Sequence, residues 1–144
     1  MKKLFIISFI LINLIHFLAV IYDWYYTIYW IDVPLHILGG IWLSSLFLYF
    51  FEKNEGLKKI LFEKPNIKKE SLIFIILCLG FVALIGVLWE FYEFFVDVII
   101  LKKYAYNAEP GYILFDTLKD LFNDLVGGII ALIIYFKRSA PKNL

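Results

Sequence analysis

The sequence predicts an all-α polytopic membrane protein, a bundle of four transmembrane helices with the N-terminus and the C-terminus both cytoplasmic. Three observations carry that prediction. Of the 144 residues, 62% are hydrophobic and 20% aromatic, a composition that belongs to an integral membrane protein and not to a soluble domain. Four apolar runs each approach the roughly 20 residues that cross a hydrocarbon core about 30 Å thick. Basic residues also cluster on alternate sides of those runs, as the positive-inside rule requires. A single membrane domain over residues 1–144 is the natural organisation.

The first span covers about residues 4–22. Lys2 and Lys3 ahead of an apolar stretch resemble the start of a signal peptide. The stretch is too long for that, contains Asn13 and His16, and ends in "VIYDWYY" with no small-residue cleavage site, so it reads as a retained helix. An outer loop at about 23–32 follows, where Trp24, Tyr25, Tyr26, Tyr29 and Trp30 suit an interfacial aromatic belt. The second span is about 33–51, and the cytoplasmic loop 52–70 after it holds six lysines. Within that loop "EGLKKILFEK" suits either a short amphipathic helix on the inner surface or a solvated connection. The third span is about 71–96, the second outer loop about 97–112 and the fourth span about 113–136, closed by Lys137, Arg138 and Lys142.

Two negative conclusions follow from composition. A net charge of +1 gives no reason to expect nucleic acid as a partner. The lone Cys78, in the middle of a span, excludes a disulfide or a thiolate metal site and reads as a buried filler.

On this topology the charges separate. Eleven of the 14 basic residues are cytoplasmic, all but Lys102, Lys103 and Lys119. Nine of the 13 acids fall in the outer half: Asp23, Asp32, Glu90, Glu93, Asp97, Glu109, Asp116, Asp120 and Asp124. Helical spacing gathers several of them. In "DTLKDLFNDLVGG", Asp116, Asp120, Asn123 and Gly127 fall within about 60° of one another on a helical wheel. Glu90, Glu93 and Asp97 share a stripe with Gly86 and Ala83 on the third span, and Asp32 lies one turn ahead of His36, with Gly39 and Gly40 just below. Three helices thus carry acids near their outer ends and small residues deeper, where glycine permits close packing.

Depth allows these groups to meet. Glu90 stands roughly 28 Å above Ser71, while His36 lies about 5 Å and Asp120 about 10 Å below the outer starts of their spans at residues 33 and 113, at about 1.5 Å per residue. His16 reaches the outer half by the same rise and either faces this chamber or pairs with Asn13 between helices. An ionisable group deep in a span costs about 2.5–3.5 kcal/mol. Several like charges together must therefore share protons, recruit a cation or remain wet. Lys119 supplies one counterion for many acids. The candidate ligand set is Asp32, His36, Glu90, Glu93, Asp116 and Asp120, supported by Asn123, His16 and Lys119, while Asp23, Asp97, Glu109 and Asp124 read as surface or rim residues.

The stretches "DVPLHILGG", "WEFYE" and "DTLKDLFNDLVGG", in this order on consecutive spans, resemble the motifs of the YjdF-like membrane proteins. More distantly they resemble the VanZ-like proteins, in which a span His, a span Glu and an Asp followed by Asn and Gly recur. By this likeness Asp32, His36, Glu90, Glu93, Asp116, Asp120 and Asn123 occupy motif positions. Two departures stand out: this chain has four spans where YjdF-like proteins are usually longer, and Glu90 and Glu93 stand where VanZ-like proteins often carry Glu and Gln. The VanZ link to glycopeptide resistance implies work at the cell envelope without implying a reaction.

Three function classes fit these residues. Oxygen and nitrogen donors from Asp, Glu and His suit a divalent ion such as Mg, Mn, Zn or Fe, at which a hydrolase or transferase would act on a lipid-linked substrate. A binding protein, the favoured class, would hold a divalent cation or a lipid or envelope headgroup in a carboxylate and histidine chamber at the outer face, with catalysis undecided. A proton or cation path is disfavoured because the polar stripe ends in Gly, Leu, Ile and Val below the midplane. A structural, proton-sharing cluster is the plain alternative. Membrane lipids and a lipid-linked or envelope ligand are the expected partners, and the cytoplasmic membrane the expected location.

Overall fold

The structure, a computed structural model, describes residues 1–28, 30–62, 67–100 and 110–139. Its regular elements are all helical among these residues: α1 (Lys2–Ile21), α2 (Trp24–Thr27), α3 (Asp32–Lys53), α4 (Glu55–Phe62), α5 (Ile67–Phe94) and α6 (Pro110–Ser139). A π-helical turn over Phe95–Ile100 extends α5. Tyr29 of the aromatic belt and the charged residues Lys64, Lys102, Lys103, Glu109 and Lys142 lie outside the described residues.

Local chemistry explains where the helices begin and end. The chain leaves α1 through Asp23, whose φ of 54° is left-handed, a conformation that Asp tolerates better than most side chains. Pro34 sits in the first turn of α3, where an N–H has no partner within the helix in any case. Asp32 in that first turn and Lys53 in the last both complement the helix dipole. Helix α6 starts on Pro110, the favoured first helical residue.

Among the described residues, three segments are long and apolar enough to cross a membrane: Lys2–Ile21, Asp32–Lys53 and Leu72–Ile100. Helix α6 is as long, but Asp116, Lys119, Asp120 and Asp124 load its first half and Lys137 and Arg138 its end. Its apolar run between them is short. The segment "EGLKKILF" forms α4, the first helix after the second crossing-length segment.

Helix α3 is the centre of the packing, lying against α6 most extensively and against α1 and α5 on its other sides, while α5 also packs on α6. Glycine sets the α3–α6 spacing. A Cβ added at Gly40 would overlap the Asp124 carbonyl oxygen, and one at Gly127 would overlap that of Ile37. Gly40 with Ser44, and Gly127 with Ala131, form small-xxx-small pairs that let two backbones meet directly. Away from the charged end, Leu48, Phe51, Phe74, Cys78 and Leu132 form the apolar core. The rings of Phe51 and Phe74 are 4.5 Å apart. Cys78 is fully buried there, its thiol donating to the Ser44 hydroxyl at 3.5 Å.

Candidate functional site

The short α3–α6 distance places the face of α3 carrying His36 directly against the face of α6 carrying Asp120, Asn123 and Asp124. All four are buried. The imidazole lies between two carboxylates, with Nδ1 3.3 Å from Asp124 Oδ1 and Nε2 3.9 Å from Asp120 Oδ2. Glu90 reaches in from α5, so that one donor atom each from His36, Glu90 and Asp120 lie within 4.8 Å of one another. The Thr117 hydroxyl of α6 is within hydrogen-bonding reach of Glu90.

Asp124 owes its position to glycine on both neighbouring helices. A Cβ at Gly39 would touch its Oδ1 at 3.4 Å, and one at Gly86 would come within 2.7 Å of Oδ2. The carboxylate therefore fills space that α3 and α5 leave by lacking side chains.

Three polar atoms in this cluster are buried without a hydrogen-bond partner among the described residues: Glu90 Oε1, Asp120 Oδ1 and Asn123 Nδ2. Such atoms are unusual, because an unsatisfied buried group costs about 1–3 kcal/mol. Asp120 is only 3% exposed, and its Oδ1 feels the Lys119 ammonium at 3.5 Å without a hydrogen bond.

Around this centre the remaining candidates form a more open rim. Lys119 Nζ bonds Asp116 Oδ1 at 2.6 Å, and both side chains are partly exposed. Asp32, one turn before His36, lies within electrostatic range of His36, Lys119 and Asp116. Glu93, one turn beyond Glu90, interacts with both His36 and Glu90. His16 stands apart, exposed on α1, with Nδ1 2.6 Å from the Tyr25 hydroxyl. Asn13 donates to the Phe9 carbonyl of its own helix at 2.8 Å and makes no bond to His16 there. Burial, with Asp32 and then Glu93 adding to it, pushes the Tyr25 phenol up to about 12. Tyr25 thus keeps its proton at neutral pH and links His16 to the edge of the acidic region.

The sequence pattern predicts Asp124 at the rim, yet it is buried against His36. One signal pointed to it: Asp124 follows Asp120 by four residues and so lies 40° from it on the same helical face. What hid it was depth, because a third acid one turn further into an apolar helix looks intolerable until Gly39 and Gly86 make room for it.

Fold and site together define the class: an integral membrane protein with three helices long and apolar enough to span among the described residues and a buried imidazole–carboxylate cluster between α3, α5 and α6. The chain belongs to the family described as predicted membrane protein DUF2238, which matches residues 1–140 and includes the YjdF-like proteins. Neither the curated proteins nor the solved structures contain a match to it.

Proposed function

We propose that this protein binds a divalent metal ion between α3, α5 and α6 through His36, Glu90 and Asp120. One observation carries the reading: three donor atoms within 4.8 Å of one another, two of the contributing carboxylates having a buried oxygen with no hydrogen bond. Ligands at about 2.0–2.6 Å from a common ion lie up to roughly 4–5 Å apart, so little movement closes the site. A donor set of one imidazole nitrogen and carboxylate oxygens suits Mn, Fe or Zn better than Ca.

Asp124 strengthens this reading. By accepting the Nδ1 proton of His36 it would leave the Nε2 lone pair facing Asp120, the arrangement found behind metal-bound histidines. The competing reading is a structural cluster in which His36 and the two aspartates share protons, favoured by the same short contact. A lipid-linked or envelope headgroup would approach such a site past Lys119, Asp116 and Asp32 at its partly exposed rim.

The topology that goes with this function has four crossings, with both termini cytoplasmic and the cluster near the outer face. Its support for α6 as a crossing is the division of that helix: Asp120 and Asp124 are buried, whereas Leu114, Phe115, Leu118, Phe122, Ile129 and Ile133 are exposed and suit lipid. The positive-inside distribution supports the orientation.

Thermal unfolding in detergent at neutral pH, with chelator or with added Mg, Mn, Zn or Ca, tests the binding. An ion bound by the folded state at a hundredfold excess over its dissociation constant adds about 3 kcal/mol. The proposal expects at least one metal to raise Tm and chelator to reverse it. A Tm indifferent to chelator and to all four metals leaves the proton-sharing cluster as the account of these residues.

A further inference from the structure

We infer that Lys119 is a specificity-determining residue of this cluster, a tethered monovalent cation that reserves Asp120 for ions of higher charge. The inference rests on the cation-binding reading above and adds a selection rule to it. Lys119 Nζ is shared unequally between two carboxylates on its own helix, 2.6 Å from Asp116 Oδ1 and 3.5 Å from Asp120 Oδ1. Asp116 is 34% exposed at the rim, while the Asp120 side chain is 4% exposed and its Oδ1 has no hydrogen bond among the described residues. The ammonium therefore supplies Asp120 with charge but not with a bond.

That geometry sets a charge threshold. An incoming monovalent ion would bring Asp120 the single charge that Lys119 already provides and would be repelled by the ammonium, so it gains little. A divalent ion doubles both its attraction to Asp120 and its repulsion by the ammonium, but it meets the carboxylate in direct contact, closer than the 3.5 Å at which the ammonium stands, so the doubled charge is a net gain. Lys119 has a place to go when such an ion arrives, because Asp116 already holds it at hydrogen-bond distance. Asp32, on α3, is a further acid whose field reaches the ammonium. Asp116 is thus the holding position for the displaced lysine, and Asp120 the position for which the lysine and the metal compete.

The test uses the full chain in detergent with Mn2+ alone as the probe, free Mn2+ being read by electron paramagnetic resonance. Titrations are run at equal ionic strength in NaCl and in N-methylglucamine chloride. Wild type and Lys119→Arg should bind Mn2+ equally in the two salts. Lys119→Met should bind roughly tenfold more tightly in N-methylglucamine, a typical coupling between two interacting ligands, and lose that gain in Na+. Asp116→Asn should weaken Mn2+ binding when Lys119 is present and have little effect in the Lys119→Met background. This last comparison also decides the matter if Lys119→Met alone folds poorly, since Asp116→Asn binding no more weakly than wild type would overturn the inference. Equal affinities for wild type and Lys119→Met in both salts, or additive effects of the two substitutions, would likewise overturn it. If wild type binds no Mn2+, the inference is overturned; if, in addition, neither chelator nor any of the four metals shifts its Tm, the cation-binding reading fails with it. If wild type binds and Asp120→Asn does not, that reading stands whatever Lys119 does.

Discussion

Gly127→Ala should damage both the packing of the protein and its cluster. The added methyl would overlap the Ile37 carbonyl oxygen and lie 2.9 Å from both the Ile37 carbonyl carbon and the Ile41 nitrogen. All three are backbone atoms of α3, so no side chain can swing aside. Against the 3.4 Å at which ordinary contact begins, the carbon and nitrogen alone demand a retreat of about 0.5 Å, and the oxygen demands more. Overpacking a close contact costs about 1–3 kcal/mol. Rigid backbone on both sides puts this case near the top of that range, about 3 kcal/mol, or a Tm loss of roughly 6–12 °C for a chain of this size. His36 precedes Ile37, so the same retreat stretches its 3.3 Å contact with Asp124 beyond hydrogen-bond length. Thermal unfolding in one detergent, with Gly80→Ala as the control, measures the cost, because nothing lies within 4 Å of a Cβ at Gly80. Gly80→Ala should leave Tm unchanged or slightly raised, in line with the helix propensity of alanine. A Gly127→Ala protein as stable as Gly80→Ala would refute the direct backbone contact between α3 and α6.

Asp124→Asn, which keeps the shape but removes the charge that orients His36, should weaken divalent-ion binding by about 10–100-fold, as read by calorimetric titration; an unchanged affinity would remove Asp124 from the site. His16→Ala should leave that affinity unaltered, because His16 is exposed and bonded to Tyr25 away from the cluster; loss of binding there would mean that α1 closes over the site. In a Cys78→Ser background, an impermeant thiol reagent applied to intact cells should label a cysteine at Tyr106 and spare one at Lys58, and the reverse pattern would invert the proposed topology.

The three crossing-length helices and their order follow from the apolar runs, because a span has to satisfy its own backbone and little else competes. The convergence of His36, Glu90 and Asp120 is also readable, since each lies on a polar stripe in the outer half of its expected span. The fourth helix was harder. Its charged first half denies it the hydropathy of a crossing, and only its contacts with α3 and α5 reveal that Asp120 and Asp124 are covered. Asp124 and His16 depart from the sequence pattern for opposite reasons. Burial of Asp124 depends on two glycines 38 residues or more away in sequence, a tertiary fact with no local signal. His16 has the right depth but the wrong neighbours, because Tyr25 on the connecting turn captures its Nδ1 first. Tyr25 itself, expected as one of several interfacial aromatics, carries the more specific role of that hydrogen bond.

Elemental analysis of gently purified protein, wild type beside Asp120→Ala, tests metal binding most directly. The account predicts about one equivalent of a single divalent metal per chain in the wild type, absent from the variant while its helical content is retained. Wild-type protein free of stoichiometric metal after purification in metal-supplemented buffer, or a variant holding the same metal in the same amount, would contradict it.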